Sequence, residues 1–278
     1  MTIAITGATG QLGGLVIDSL LARVPATEIV ALARNTEKAA GLASRGIDVR
    51  HFDYNQPEGL EPALKGVDRL LLISGNEVGR RTPQHKAVID AAVAAGVGYI
   101  AYTSFLHVDQ ASIIAVAPEH KETEKLLAAA PVKVGLLRNG WYTESFIAQV
   151  QQSAETGTLL TSADAGRISA AAVIGADAVD DAVYELSGDE SFTYGDLANV
   201  TAELTGRPVA LQNVSEEEHL KALLAAGVPE FGAQFFASTD LAIKEGELFD
   251  EHPGTLSKLI GHPTTSLKDA LAPALTQG

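Results

Sequence analysis

From residue 2 onward, short apolar runs alternate with stretches whose apolar residues recur every three or four positions. Residues 2–6 (TIAIT) form a continuous β-rich run, as in a parallel strand covered on both faces. Beyond a cluster of glycines, Leu12, Leu15, Val16 and Leu20 fall at helical spacing. The pattern then repeats. Residues 28–33 (EIVALA), 48–51, 69–74 (RLLLIS), 99–104 (YIAYTS) and 133–138 (KVGLLR) predict strands. Residues 36–44, 60–64, 83–95 and 119–129 predict helical segments between them. Val88, Ile89, Ala92 and Val93 give the third of these an apolar side, and Gly96 ends it.

Strand and helix alternating in this way predict an α/β fold, a Rossmann-type doubly wound parallel sheet with right-handed crossovers. After Trp141 the rhythm changes. Residues 146–154 read as helix, 183–186 as strand and 187–189 as turn. Thr193 opens a helix through Leu204, with Asp196 placed for a capping box. Residues 209–213 are strand-like, and Ser215 caps a helix to Ala226 whose first turn, Glu216-Glu217-Glu218, suits the helix dipole. This predicts a dinucleotide-binding domain over residues 1–150. A smaller substrate-binding α/β lobe over 151–278 would follow, one of whose strands could return to the main sheet.

Composition narrows the class. The chain has 278 residues, 46% of them hydrophobic and 20% charged, a globular balance long enough for this plan. No apolar run approaches a membrane span of roughly 18 residues, and the opening strand has no signal-peptide character. With no cysteine, thiolate catalysis, disulfides and cysteine-held metals are excluded, and a cytoplasmic location is expected. No histidine or carboxylate cluster has metal-ligand spacing, and no nucleophile elbow occurs. The net charge of −15 argues against nucleic-acid binding. A homodimer is the base-rate expectation for assembly.

The chemistry concentrates in the glycines. Gly7, Gly10 and Gly13 stand as G-x-x-G-x-x-G between the first strand and the first helix. A helix N-terminus presents unpaired N–H groups and a partial positive charge, and glycine lets the backbone approach a pyrophosphate. In that setting the motif predicts a dinucleotide site rather than an ordinary turn. About twenty residues on, where an NAD enzyme places an acid for the ribose 2′-hydroxyl, Arg34 and Asn35 stand instead. A guanidinium suits a 2′-phosphate, so NADP(H) is preferred over NAD. Ser74-Gly75-Asn76 follows a strand at the sheet edge that faces the ligand in such folds.

The glycine spacing is similar to that of the extended and atypical short-chain dehydrogenases. Taken with ALARN, LLLIS, QHKAVIDAAVAAGV, YIAYTS, EHKETEKLL, LLRNGWYTE, VYELSGDESFTYGDLA and LIGHPTTSL, the chain resembles the NmrA-like members of that superfamily along nearly its whole length. More narrowly, it resembles their bacterial NADPH:quinone oxidoreductases. The resemblance implies that Gly7, Ala8, Thr9, Gly10, Gln11 and Leu12 wrap the pyrophosphate and that Arg34 holds the 2′-phosphate. It implies that Ser74, Gly75 and Asn76 lie beside the cofactor, and that Asn139, Gly140, Trp141 and Tyr142 line the nicotinamide end. From the residues alone, Trp141 and Tyr142 are either core or a stacking wall for a flat substrate.

Classical short-chain dehydrogenases carry a Tyr-x-x-x-Lys pair on the helix after the fifth strand. Here that helix reads His120-Lys121-Glu122-Thr123-Glu124-Lys125, with a His in place of the Tyr and Glu124 four residues on. Ser104 matches the superfamily serine. An aliphatic ketone needs a proton as hydride arrives, whereas a quinone gains aromaticity and can draw its proton from water. The expectation is an NADPH-dependent oxidoreductase passing hydride to a quinone, with His120 the candidate catalytic donor and His107 behind it. The alternatives are a reductase of activated ketones or aldehydes, and a non-catalytic NADP-binding redox sensor of NmrA type. The family usually continues beyond Ser169 with a Thr-Arg-Ala-Asp segment; this chain passes to Ala170-Ala171-Ala172-Val173-Ile174 and is shorter there.

Overall fold

The computed structural model describes residues 1–163, 165–171 and 182–276, with backbone only for 170 and 171. The expected shortening after Ser169 lies mostly outside the described residues. Strands and helices alternate through β1 (Ile3–Ile5), α1 (Gln11–Leu21), β2 (Ile29–Ala33), α2 (Ala40–Ala43), β3 (Asp48–His51), α3 (Leu60–Ala63), β4 (Arg69–Leu72), α4 (Arg81–Ala94), β5 (Tyr99–Phe105), α5 (Ala117–Ala129) and β6 (Lys133–Asn139). The remaining elements are β7 (Trp141–Tyr142), α6 (Ile147–Thr156), β8 (Thr158–Thr161), β9 (Ile168–Ala171), β10 (Val183–Leu186), β11 (Ser191–Phe192), α7 (Tyr194–Thr205), β12 (Ala210–Asn213), α8 (Glu216–Ala225), α9 (Glu230–Lys244), α10 (Thr255–Ile260) and α11 (Leu267–Leu275).

The main sheet has seven strands in the order β10-β6-β5-β4-β1-β2-β3. The pairs β1–β2, β1–β4, β2–β3 and β4–β5 are parallel. Apart from β10, this is the 3-2-1-4-5-6 order of a doubly wound dinucleotide fold, which reverses direction between β1 and β4. The central strands explain their own placement. Every residue of β2 and of β5 is buried, which both faces of a parallel sheet require. One side of the core gathers Leu32, Leu64, Leu70, Leu72, Ile100 and Tyr102; the other gathers Ile5, Val16, Ile17, Leu20 and Ile29.

The buried stripe of α1 is Gly13, Val16, Ile17 and Leu20, while Leu15 faces outward. Gly13 takes an inward position because the turn packs against the helix there, and the buried stripe is rotated by about a fifth of a turn from the one the leucines suggest, with Val16 and Leu20 common to both.

Close contacts divide the described residues into two compact units. The first holds residues 1–105, 118–138 and 182–184. The second holds 106–117, 139–171 and 185–276. Within the second, β7 runs parallel to β9, β9 pairs antiparallel with β11, and β8 pairs parallel with β12. The predicted caps form as expected there. The Thr193 hydroxyl accepts from the Asp196 amide and the Asp196 carboxylate from Thr193, and Ser215 and Glu218 do the same for α8.

Candidate functional site

The glycine turn sits at the carboxyl end of β1, beside the end of β4, where the strand order reverses. The Thr6 hydroxyl accepts a bond from the Ile73 amide at 2.8 Å, and the Thr6 amide donates to Leu71. Gly7 then adopts φ +59°, a left-handed conformation open to glycine at little cost. The Gly10 amide donates back to the Gly7 carbonyl at 2.9 Å, closing the turn.

The third glycine is held by space. A Cβ on Gly13 would lie 2.3 Å from the Gly7 oxygen and 2.9 Å from the Ala8 Cα. Helix α1 begins with no side-chain cap and no acid in its first turn. Its N-terminal amides therefore face outward at a glycine-lined step, with the positive end of the helix dipole behind them. Gly7, Thr9, Gly10 and Gln11 are exposed; Leu12 is half-buried; the Ala8 methyl is buried in the core. This cradle fits a pyrophosphate.

Arg34 follows β2 directly and is exposed, with Nη1 3.4 Å from Glu77 Oε1. Its charge and position fit a 2′-phosphate. Glu77 belongs to the loop that begins with Ser74-Gly75-Asn76, and that loop is anchored from behind. The Ser74 amide donates to Thr103 Oγ1 at 2.8 Å, and the Gly75 amide to His85 Nε2 at 2.9 Å. The Arg81 guanidinium donates to the Gly75 carbonyl. Glu119 Oε1 accepts from the Gly79 and Arg81 amides, each at 3.0 Å.

These anchors fix proton positions. Because His85 Nε2 accepts from Gly75, its Nδ1 carries the hydrogen and donates to Thr123 Oγ1 at 2.9 Å; that hydroxyl donates in turn to the Glu119 carbonyl. Burial, and then the Arg81 charge, push the His85 pKa down to about 4. His120 is buried as well. Its Nδ1 lies 2.7 Å from the Tyr102 hydroxyl, and its Nε2 is 3.5 Å from Arg81 Nη1. Burial, then Arg81 and His85, push its pKa down to about 3, so the ring is neutral near pH 7. Arginine has only donors, which leaves Nε2 as an acceptor and turns the ring N–H toward Tyr102.

The second unit holds the other expected residues. The Asn139 side chain donates to the Tyr142 hydroxyl at 2.9 Å, and the Gly140 amide to the Leu186 carbonyl at 2.8 Å. Burial pushes the Tyr142 phenol up. The Trp141 ring lies 6.0 Å from that of Phe235 at a tilt of 30°, both half-buried. His107 is the one non-glycine residue at positive φ among the described residues. Its amide donates to Glu185 Oε2, and its ring nitrogens stand 3.6 Å from Glu185 and from Asp250.

Glu77, Arg81 and His85 escaped the sequence reading. An isolated Glu, Arg or His on an apparent helix start carries no motif, and only the folded loop gives each a target. Among the described residues, no three histidines or carboxylates are grouped to hold a metal, and no helix is long and apolar enough to cross a membrane.

Comparison with known proteins matches this geometry to a family. The pattern of the NAD(P)H-binding family fits residues 7–181. The chain is 47% identical to quinone oxidoreductase 2 of Escherichia coli, with 97% of each chain aligned. It is 33% identical to an NmrA-like family domain-containing oxidoreductase of Aspergillus flavus, over 80% of this chain and 77% of the other. Among solved structures, the NADPH complex of the E. coli NADPH-dependent quinone oxidoreductase superposes with a TM-score of 0.93 at 46% identity, covering 98% of this chain and 99% of that one. The NADP(H) complex of Citrobacter triphenylmethane reductase gives 0.92 at 40% identity, covering 99% and 100%. The chain belongs to the NAD(P)H-binding, NmrA-like family.

Proposed function

We propose that the protein is an NADPH-dependent oxidoreductase that delivers hydride to a quinone. The observation that carries the cofactor is the uncapped, glycine-lined start of α1 beside Arg34 on the switch-point edge of the sheet. The likeness to quinone oxidoreductase 2, at 47% identity along both chains, supports the acceptor.

In this reading Gly7 to Leu12 bind the pyrophosphate, Arg34 takes the 2′-phosphate, and Ser74 to Asn76 fix the cofactor's position. Asn139, Gly140, Trp141 and Tyr142 line the nicotinamide end. Bound NADPH supplies the hydride. The chain's part is to bind and orient cofactor and acceptor. His120, neutral at working pH, serves as a positioning group through Arg81 and Tyr102, and the hydroquinone monoanion left by hydride transfer takes its one remaining proton from solvent. The reaction needs no imidazolium acid, because aromatisation of the product supplies the driving force that a ketone lacks. The substrate is a small molecule, and the cysteine-free composition supports a cytosolic setting.

The test mixes the protein with NADPH and a simple benzoquinone and follows loss of reduced-nicotinamide absorbance, with NADH and Arg34→Ala alongside. Fast loss with NADPH, slower loss with NADH, and an NADPH KM raised about tenfold in the variant are expected, the scale of one charge-assisted phosphate contact. No turnover with any of several quinones, cofactor binding being intact, overturns the quinone reading.

A further inference from the structure

Arg34 does not stand alone. Its Nη1 and the Asn55 side-chain amide both approach Glu77 Oε1 at 3.4 Å. Glu77 Oε2 accepts from Arg80 Nη1 at 3.3 Å and from the buried Gln84 side chain at 3.0 Å. One carboxylate thus holds two guanidiniums and two amides, all within the first unit. The geometry is uneven. The contact to Gln84 is a full hydrogen bond, and Gln84 also reaches Asn55 Oδ1 at 3.1 Å. The contacts to the arginines are long, and both arginines are largely exposed. Exposed pairs of this kind contribute little and exchange readily.

We propose that Glu77 is a place-holding anion in the 2′-phosphate subsite and sets how strongly the protein prefers NADPH over NADH. The proposal rests on the reading of Arg34 as the 2′-phosphate residue. Without cofactor, the Glu77 carboxylate occupies Arg34 and Arg80. A 2′-phosphate brings close to two negative charges and three acceptor oxygens, so it displaces a single carboxylate from both guanidiniums. Arg80 then becomes a second phosphate ligand. Glu77 stays nearby on its Gln84 and Asn55 bonds, where its charge opposes the phosphate but not a 2′-hydroxyl, which can donate to it. Glu77 therefore narrows the gap between the two cofactors. Removing its charge widens that gap.

Calorimetric titration with adenosine 2′,5′-bisphosphate and with AMP reads the subsite without turnover. In Glu77→Gln, which keeps one acceptor oxygen for Gln84, the bisphosphate is expected to bind about fivefold more tightly. That is the scale of one charge lost beside a phosphate in partly solvated surroundings. AMP should change less than about twofold on the same reasoning. Glu77→Ala is expected to move the ratio the same way, and Arg80→Ala to weaken the bisphosphate alone. A bisphosphate-to-AMP ratio that is unchanged or lowered in both Glu77 variants overturns the place-holder. Arg34→Ala separates the two ideas. If that variant loses the preference for the bisphosphate while the Glu77 variants leave it unmoved, only the place-holder falls. If Arg34→Ala also leaves the ratio unmoved, the reading of Arg34 falls with it.

Discussion

At the residue scale, two adjacent glycines of α1 have opposite reasons to exist. Helix propensity alone says that alanine would improve both Gly13 and Gly14 by about 1 kcal/mol. A Cβ on Gly14 meets nothing within 4 Å, whereas one on Gly13 would sit 2.3 Å from the Gly7 oxygen. The obstacle is backbone, which cannot swing aside, so the clash outweighs the propensity. Gly14→Ala is expected to stabilise the fold by about 0.5–1 kcal/mol with NADPH affinity unchanged. Gly13→Ala is expected to destabilise by about 1–3 kcal/mol and to weaken NADPH at least about tenfold by opening the turn. Denaturant melts and cofactor titrations of the two variants check this. A Gly13→Ala protein that binds NADPH normally would show that the turn tolerates a Cβ. This part of the site was legible in the sequence, because three glycines between a strand and a helix leave few other reasons for their spacing. The anchors behind the neighbouring loop were not. His85 matters because its ring reaches the Gly75 amide ten residues back, a contact that no local pattern announces.

At the element scale, the first 139 residues were readable because parallel strands are continuous apolar runs and their crossover helices keep a regular period. Among the later strands β10 and β12 were read at 183–186 and 209–213, while β7, β8, β9 and β11 escaped, β7 and β11 having only two residues each. Helix α9 escaped for another reason. Its inward face mixes Thr239 and Asp240 with Ala233, Ala242 and Ile243, while Phe231 and Phe236 are exposed, so the expected contrast between faces is blurred. Asp240 can be buried because Thr161, Ser162, His219 and Tyr194 all satisfy it. Capping, by contrast, is local and reads directly. Both bonds of the Thr193–Asp196 box form, and α7 buries Tyr194, Leu197, Ala198 and Thr201 behind it. Thr193→Ala is expected to cost about 1 kcal/mol, and Thr193→Ser to restore most of it. Equal melts for the wild type and Thr193→Ala would remove the cap from the list of stabilising features.

At the scale of the whole molecule, two buried neutral histidines and several stabilised carboxylates give stability an acid limb in two stages. His85 and His120 have folded pKa values lowered to about 4 and about 3 from an ordinary 6.5. A histidine depressed on folding binds its proton more readily in the unfolded chain. Its contribution is therefore complete above about pH 6.5 and declines as pH falls toward the folded value. Asp189, Asp240, Glu218 and Glu247 are depressed too, but as carboxylates their contributions hold until pH falls below about 4. Between about pH 6 and 4.5 the histidines dominate, and unfolding should take up close to two protons from them. Replacing one histidine by glutamine should cut that uptake to about one, whatever it does to stability at pH 7.5. The local consequence follows from the same protons. Once charged, His85 can no longer accept from the Gly75 amide, so the loop that begins at Ser74 loses an anchor in step with the fold. Denaturant midpoints measured every half unit from pH 7.5 to 4.5 give the uptake as a slope. A flat profile across that range would mean that the two rings reach solvent in the folded protein and that their neutral, bonded state is not what holds the loop.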